Sequence, residues 1–117
     1  VDHDFCLRAR RRGWQVVECC GLIMEHSIGA ITVHYFLGLR MVCTNHNAQR
    51  RYYMTRNTLE VCRRNMVFDP RWSFKQLLVW VSGCMAIILW ERDKHAKLAA
   101  IAQGAAHFLL RRFGKRP

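Results

Sequence analysis

The sequence predicts an α+β protein that is mostly helical, with a short β element near the N-terminus followed by long helices. Apolar residues recur at helical spacing in residues 2–12 and 48–65. Residues 77–90 form an almost continuous apolar run, whereas residues 14–19 are rich in strand-forming types. With 117 residues, the chain has the length of one compact domain.

Cap signals predict where the helices begin and end. The first helix is expected over about residues 2–12, where Gly13 can supply a left-handed cap. The second is expected over residues 48–65. A third helix has two competing starts, the cap and first-turn proline at 69–70 and the capping box at 73–76, and continues to about residue 90. A last helix is expected over residues 95–113, ending at Gly114.

The β element is expected just after the first helix. Residues 14–19 and 22–25 suit two short strands, or one strand and an extended segment, on either side of Gly21. The following stretch mixes glycines and histidines with apolar residues, and residues 31–43 are expected to be partly helical.

The charge of the chain indicates an anionic partner. Nineteen Lys and Arg against eight Asp and Glu give a net charge of +11, which suits phosphate, nucleic acid or a membrane face. The six cysteines form no C-x-x-C pair, so a reduced, cytoplasmic compartment is expected. The apolar run at 77–90 is shorter than the ~20 residues of a membrane span. A buried or interfacial helix is therefore expected there.

An acidic pair opens the first predicted helix. Asp2 and Asp4 lie where the helix dipole favours negative charge, so they suit a helix cap. A carboxylate near an acceptor hydroxyl could also act as a general base. Position alone does not choose between the two interpretations.

The opening string VDHDFCLRARRRGW, residues 1–14, resembles a segment of the family 2 glycosyltransferases of the GT-A type. There an acidic pair is followed by an apolar residue, a Leu-Arg step and a Gly-aromatic turn. The resemblance implies that Asp2 is the catalytic base, that Asp4 supports it or contacts the acceptor, and that Arg8 belongs to the substrate site. The family often has Glu immediately before the base, where this chain has Val1. Rhamnosyltransferase-like members show the same departure.

Two further strings extend the resemblance to the bacterial rhamnosyltransferases. MEHSIG, residues 24–29, matches the region in which the family has a histidine beside the aspartates of its D-x-D motif. This implies that His26 is a ligand of Mg²⁺ or Mn²⁺, whereas a lone histidine after a strand is otherwise most often structural. HNAQRRYYMTRN, residues 46–57, resembles the R-x-Y-Y-x-x-R-N signature.

On a helix, the pairs Tyr52 with Arg56 and Tyr53 with Asn57 form two adjoining stripes. Together with Arg51, these residues are expected to line the acceptor or diphosphate side of the substrate cleft, since arginines grip phosphate oxygens and tyrosines offer a flat surface for a sugar. The alternative is that the tyrosines belong to the core and the arginines to a solvated face.

The resemblance implies an inverting transfer from a nucleotide sugar, dTDP-rhamnose, to a saccharide or lipid-diphosphate-linked acceptor in cell-surface polysaccharide synthesis. The Q-x-x-R-W motif of processive members does not occur, which favours limited sugar addition. Residues 1–47 are interpreted as the C-terminal edge of the catalytic core and residues 48–117 as a helical region. The chain is expected to be an inactive fragment of a longer enzyme, with homo-oligomers a further expectation.

The basic C-terminal part predicts a location at the inner face of the cell membrane. Residues 91–117 interleave basic side chains with apolar ones, which is typical of an interfacial helix on an anionic leaflet and equally of an ordinary packed helix. Two other classes stay open. A nucleic-acid-binding module would suit the charge, although the chain has no recognised motif. A membrane-surface interaction domain would use the helix at 77–90 and the basic tail, and the acidic pair would then be only a helix cap.

Overall fold

The computed structural model describes residues 2–21, 23 and 30–115, and of Asp2 the backbone only. The elements follow in the order α1 (Asp2–Arg11), β1 (Thr32–Phe36), β2 (Leu39–Cys43), α2 (Ala48–Asn65), α3 (Pro70–Trp90) and α4 (Lys94–Leu109). The predicted class, α+β and mostly helical, is confirmed.

Side-chain caps set the starts of the two longest helices. Asn47 accepts a hydrogen bond from the backbone N–H of Arg50 at 2.9 Å, and Asp69 accepts one from that of Trp72 at 3.1 Å. Of the two predicted starts for α3, the cap at Asp69 is therefore the one used. Ser73 is buried and donates its hydroxyl to the Asp69 carbonyl at 3.0 Å.

Helices α2 and α4 form the most extensive packing contact among the described elements. Gly104 of α4 lies so close to α2 that a Cβ atom there would be 2.6 Å from the carbonyl oxygen of Tyr52 and 3.3 Å from the Cβ of Thr55. Glycine lets the two backbones approach, which the pattern of apolar residues alone does not reveal.

The expectation of helix in residues 31–43 is wrong, because this segment forms an antiparallel hairpin. Phe36 pairs with Leu39, and the two turn residues, Leu37 and Gly38, have φ values of 49° and 78°. Such turns match the twist of paired strands but usually contain Asn or Asp before Gly. Leu37 in that position gave no turn signal.

The hairpin packs on the C-terminal end of α3. Met41 and Cys43 are buried against Ala86, and Trp90 packs beside them. The ring of His34 stacks on that of Trp90, with centroids 4.9 Å apart and planes 9° from parallel. This contact gives β1 and β2 the covered face that a two-stranded sheet needs.

Other expected boundaries also differ from the structure. Residues 14–19 form no strand, because none of the described segments pairs with them, and the second expected strand, 22–25, lies almost wholly outside the described residues. Helix α4 ends at Leu109 rather than near residue 113. Arg111 has a φ of 56°, a left-handed conformation that stops the helix before Gly114.

Helix α3 begins before the apolar run, at the predicted proline, and is mostly exposed. The helix has 21 residues, and an 18-residue window within it has a mean hydropathy of 1.5. Only 17% of that window is buried. By length and composition alone it could cross a membrane, although core helices pass the same test. Of the two expectations, a buried or an interfacial helix, the buried one does not match the structure.

Candidate functional site

A cleft of about 460 Å³ lies between the start of α1, the exposed face of α2 and the first turns of α3. This volume is within the ~300–1,000 Å³ typical of small-molecule sites. Three of the predicted site residues line it, Asp4, Tyr53 and Asn57. The structure therefore brings together residues from the two matched strings, which are about fifty positions apart in the sequence.

Asp4 is the acidic group among the described residues that line the cleft. Its carboxylate pairs with the guanidinium of Arg8 one helical turn later, at 3.2 Å, and is itself about three-quarters buried. Arg8 is largely exposed and lies outside the cleft. At this distance the guanidinium of Arg8 can orient the Asp4 carboxylate.

The α2 wall of the cleft combines an aromatic ring with amide side chains. Tyr53 is half-buried, Asn57 is exposed one turn further on, and Gln49 lies one turn before. From α3, Trp72 contributes a second aromatic ring, which tilts against His3 of α1 at a centroid distance of 5.9 Å. Aromatic faces and planar amides suit the C–H faces and hydroxyls of a sugar ring.

The neighbouring stripe, Tyr52 and Arg56, points away from the cleft towards α4. The hydroxyl of Tyr52, a residue only 1% exposed, is hydrogen-bonded to Nδ1 of His107 at 2.6 Å. Arg56 is also buried, and its guanidinium donates to the carbonyl of Gly114 at 2.8 Å and lies over the ring of Phe113. Both residues fix α2 to the C-terminal part of the chain.

Arg51 is engaged with Glu91, the residue that follows α3. Its Nη2 atom lies 2.6 Å from Oε1 of Glu91, whose side chain is 0% exposed, and also donates to the hydroxyl of Thr44. The second carboxylate oxygen pairs with Nζ of Lys97 at 2.9 Å. Burial alone would raise the pKa of Glu91, but the Lys97 hydrogen bond and the Arg51 charge outweigh it and lower the pKa.

The two remaining predicted residues cannot be placed in the site. The side chain of Asp2 and the whole of His26 lie outside the described residues. Within the part of the chain that the structure describes, no three His, Cys, Asp or Glu side chains converge as metal ligands. The described residues therefore do not fit a metal centre, since such a centre needs several converging ligands.

The sequence interpretation missed several residues that line the cleft, including Trp72, Gln49, Arg50, Thr58 and Gln76. A signal was available for those on α2. Arg50, Tyr53, Asn57 and Val61 follow one another at spacings of three or four and so share the face that α4 does not cover. Trp72 gave no such signal, because its place in the cleft depends on how α3 packs against α1 and α2.

No protein-family model, curated protein or solved structure matches the chain.

Proposed function

We propose that the chain is part of a glycosyltransferase that moves a sugar, rhamnose by the resemblance, from a nucleotide sugar to a saccharide or lipid-linked acceptor. In this proposal residues 1–47 belong to the edge of the catalytic core and residues 48–117 form its helical region. The cleft between α1, α2 and α3 holds the acceptor sugar.

The single observation that supports this proposal most is the convergence of Asp4, Tyr53 and Asn57 on one cleft. The three residues belong to two separate strings of the sequence, residues 1–14 and residues 46–57. Trp72 strengthens the case independently, because a second aromatic ring at the same cleft suits a saccharide and played no part in the resemblance.

The chemistry proposed for the chain's own residues is proton removal and acceptor positioning. The acidic start of α1, with Asp2 as the base, takes the proton of an acceptor hydroxyl as that oxygen attacks the anomeric carbon of the donor. The bond between that carbon and the diphosphate oxygen breaks in the same step, and the nucleoside diphosphate leaves with the electron pair. Asp4, oriented by Arg8 at 3.2 Å, accepts a hydrogen bond from a neighbouring hydroxyl. No step is assigned to a metal ion, because the described residues form no site for one.

The arginines of the signature have a supporting role in this proposal. Arg51 and Arg56 are both buried and hydrogen-bonded within the protein, so neither offers a free guanidinium to a diphosphate. Arg50 is exposed and lines the cleft. We therefore assign the contact with an acceptor phosphate to Arg50, and treat Arg51, Tyr52 and Arg56 as residues that position α2.

Saccharide binding to the chain itself tests the site. Saturation-transfer NMR with a rhamnose-containing oligosaccharide is expected to give a signal that Tyr53→Ala or Trp72→Ala reduces at least tenfold. Tyr35→Ala is the matched control, since Tyr35 is an exposed tyrosine on the hairpin, outside the cleft. Equal signals for Tyr53→Ala and Tyr35→Ala would contradict the proposed acceptor cleft.

Sugar transfer in the complete enzyme tests the base. Asp2→Asn is expected to reduce kcat by about 10²–10⁴, the usual contribution of a general base. Asp4→Asn is expected to raise the acceptor KM more than it lowers kcat. Unchanged transfer by Asp2→Asn would exclude the proposed role of Asp2 while leaving saccharide binding as a separate result.

A further inference from the structure

Helix α3 exposes a continuous apolar face that the described residues cover only in part. Five residues of this face follow one another at spacings of three or four, and a sixth adjoins the last, so they lie on one side of the helix. We name them the apolar stripe: Phe74, Leu78, Val81, Met85, Ile88 and Leu89. Each is more than a third exposed, and a patch of this kind on a soluble protein marks an interaction surface.

The opposite face of α3 is held against the rest of the protein at several positions. Ser73, Ala86 and Ile87 are buried, and the indole N–H of Trp80 donates to the hydroxyl of Thr55 at 3.2 Å. The buried Glu91 follows directly after the last residue of the helix. A helix held in this way on one side cannot be surrounded by lipid, so it would contact a bilayer lying flat in its surface.

Exposed cations flank both ends of the apolar stripe. Arg71 and Lys75 lie in the first turns of α3, and Arg92 and Lys94 follow its last turn. The ammonium group of Lys94 lies 3.4 Å from the carbonyl oxygen of Leu89, at the end of the stripe itself. Apolar residues bordered by Lys and Arg are the composition that binds anionic lipid headgroups.

We propose that the apolar stripe docks α3 on the surface of an anionic lipid bilayer. The stripe enters the boundary between headgroups and acyl chains while the flanking cations contact the phosphates. The net charge of +11 favours this occupant over a second copy, because pairing two stripes would bring like charges together at both ends. The inference is independent of the saccharide cleft.

The sequence indicated two surfaces that would suit a membrane, the apolar run at 77–90 and the basic C-terminal segment. The basic C-terminal segment was expected to contact the membrane, but Phe113 lies under the guanidinium of Arg56 and the carbonyl of Gly114 accepts a hydrogen bond from it. That segment is therefore held against α2, whereas each residue of the apolar stripe on α3 is more than a third exposed.

Vesicle flotation tests the proposal with two variants of equal charge. The chain is expected to float with vesicles of phosphatidylglycerol and phosphatidylcholine in equal parts, and at least tenfold less with phosphatidylcholine alone. Val81→Glu places a charge in the stripe and is expected to reduce binding to the anionic vesicles at least tenfold. Ala102→Glu, on the exposed face of α4, adds the same charge elsewhere and should leave binding unchanged.

Three results would overturn the proposal. The first is equal flotation of Val81→Glu and Ala102→Glu when circular dichroism shows both to be folded. The second is binding that does not depend on phosphatidylglycerol. The third is a dimer in sedimentation that Val81→Glu converts to a monomer without changing flotation, which would assign the stripe to a second copy. Tyr53→Ala should float like the unchanged chain, so failure of the acceptor cleft would be recognised separately.

Discussion

The guanidinium of Arg51 and the carboxylate of Glu91 meet at 2.6 Å inside the molecule, although forty residues separate them in the sequence. Lys97 completes the group, and the backbone N–H of Asn45 donates to the same carboxylate at 3.1 Å. Glu91, which follows the last residue of α3, thus bonds through its carboxylate to the loop before α2, to α2 itself and to α4.

Removing the charge of Glu91 should destabilise the fold strongly. Glu91→Gln would leave two buried cations without their counter-ion, and breaking a buried pair in this way costs about 3–5 kcal/mol. Urea unfolding followed by circular dichroism would measure the change. Glu18→Gln is the control, since Glu18 is exposed and its replacement should change the free energy of unfolding by less than about 0.5 kcal/mol. A loss below about 1 kcal/mol for Glu91→Gln would contradict the buried network.

The two helical glycines on α3 and α4 should respond in opposite directions to the same substitution. Gly104→Ala places a Cβ atom 2.6 Å from a carbonyl oxygen of α2 and should lower the free energy of unfolding by about 1–3 kcal/mol. Gly83→Ala meets nothing within 4 Å and should raise it by up to about 1 kcal/mol, because alanine favours the helix. Thermal unfolding of the two variants would show whether the close approach of α4 to α2 is correct.

Acid should weaken the fold through Glu60, which pairs with Arg63, Arg64 and Arg111 at 2.9, 2.6 and 3.3 Å. The hydrogen bonds from Arg63 and then Arg64 outweigh the effect of burial and lower the pKa of Glu60 to about 2. Because the pKa of Glu60 is lower in the folded state, the stabilisation that its carboxylate gives the fold is complete above the ordinary pKa of glutamate. This stabilisation is lost as the pH falls towards 2.

Glu60→Gln should therefore lower the free energy of unfolding by about 1–2 kcal/mol at pH 7. This is less than the loss of a fully buried ion pair would cost, because the three arginines are about half exposed. At pH 3 the difference between Glu60→Gln and the unchanged chain should shrink. The effect of Gly104→Ala, which involves no titrating group, should not change over the same range. A Glu60→Gln penalty that is equal at both pH values would exclude the proposed ion cluster.

The hydroxyl of Tyr52 should matter for stability rather than for saccharide binding. Tyr52→Phe removes the hydrogen bond to His107 at 2.6 Å and should lower the free energy of unfolding by about 1–2 kcal/mol. Tyr35→Phe, on the exposed hairpin, should have no measurable effect. If Tyr52→Phe abolished saccharide binding at unchanged stability, Tyr52 would belong to the site and not to the packing of α2 on α4.

The features predicted well from the sequence are those that local signals determine. The 48–65 helix was predicted from residues a few positions apart, and the structure confirms it. The cap at Asp69 was one of two starts predicted for α3, and it is the one that the structure contains. The hairpin was missed because Leu37 is an unusual residue for its turn. The burial of Glu91 was missed for a different reason: it occurs in a polar segment, and its partner Arg51 lies on another helix.

The candidate site was predicted to the extent that one helical face determines it. Spacing alone indicated that Tyr52 with Arg56 and Tyr53 with Asn57 lie on two adjoining stripes, and the structure turns the first towards α4 and the second towards the cleft. Which stripe faces inward depends on where α4 packs. Gly104, about fifty residues later in the sequence, allows α4 to pack closely on the Tyr52 side of α2. No pattern within α2 itself indicates this contact.

Arg56 links the cleft to the end of the chain. Its guanidinium lies 5.2 Å from the ring centroid of Tyr53 in the cleft wall, 5.5 Å from that of Phe113, and donates to the carbonyl of Gly114. Proteolytic cleavage before Phe113 would remove two of the contacts that hold this guanidinium beneath Tyr53. The cleft wall would loosen although none of its own residues had been cut, so residues 113–114 serve as a support for the α2 side of the site.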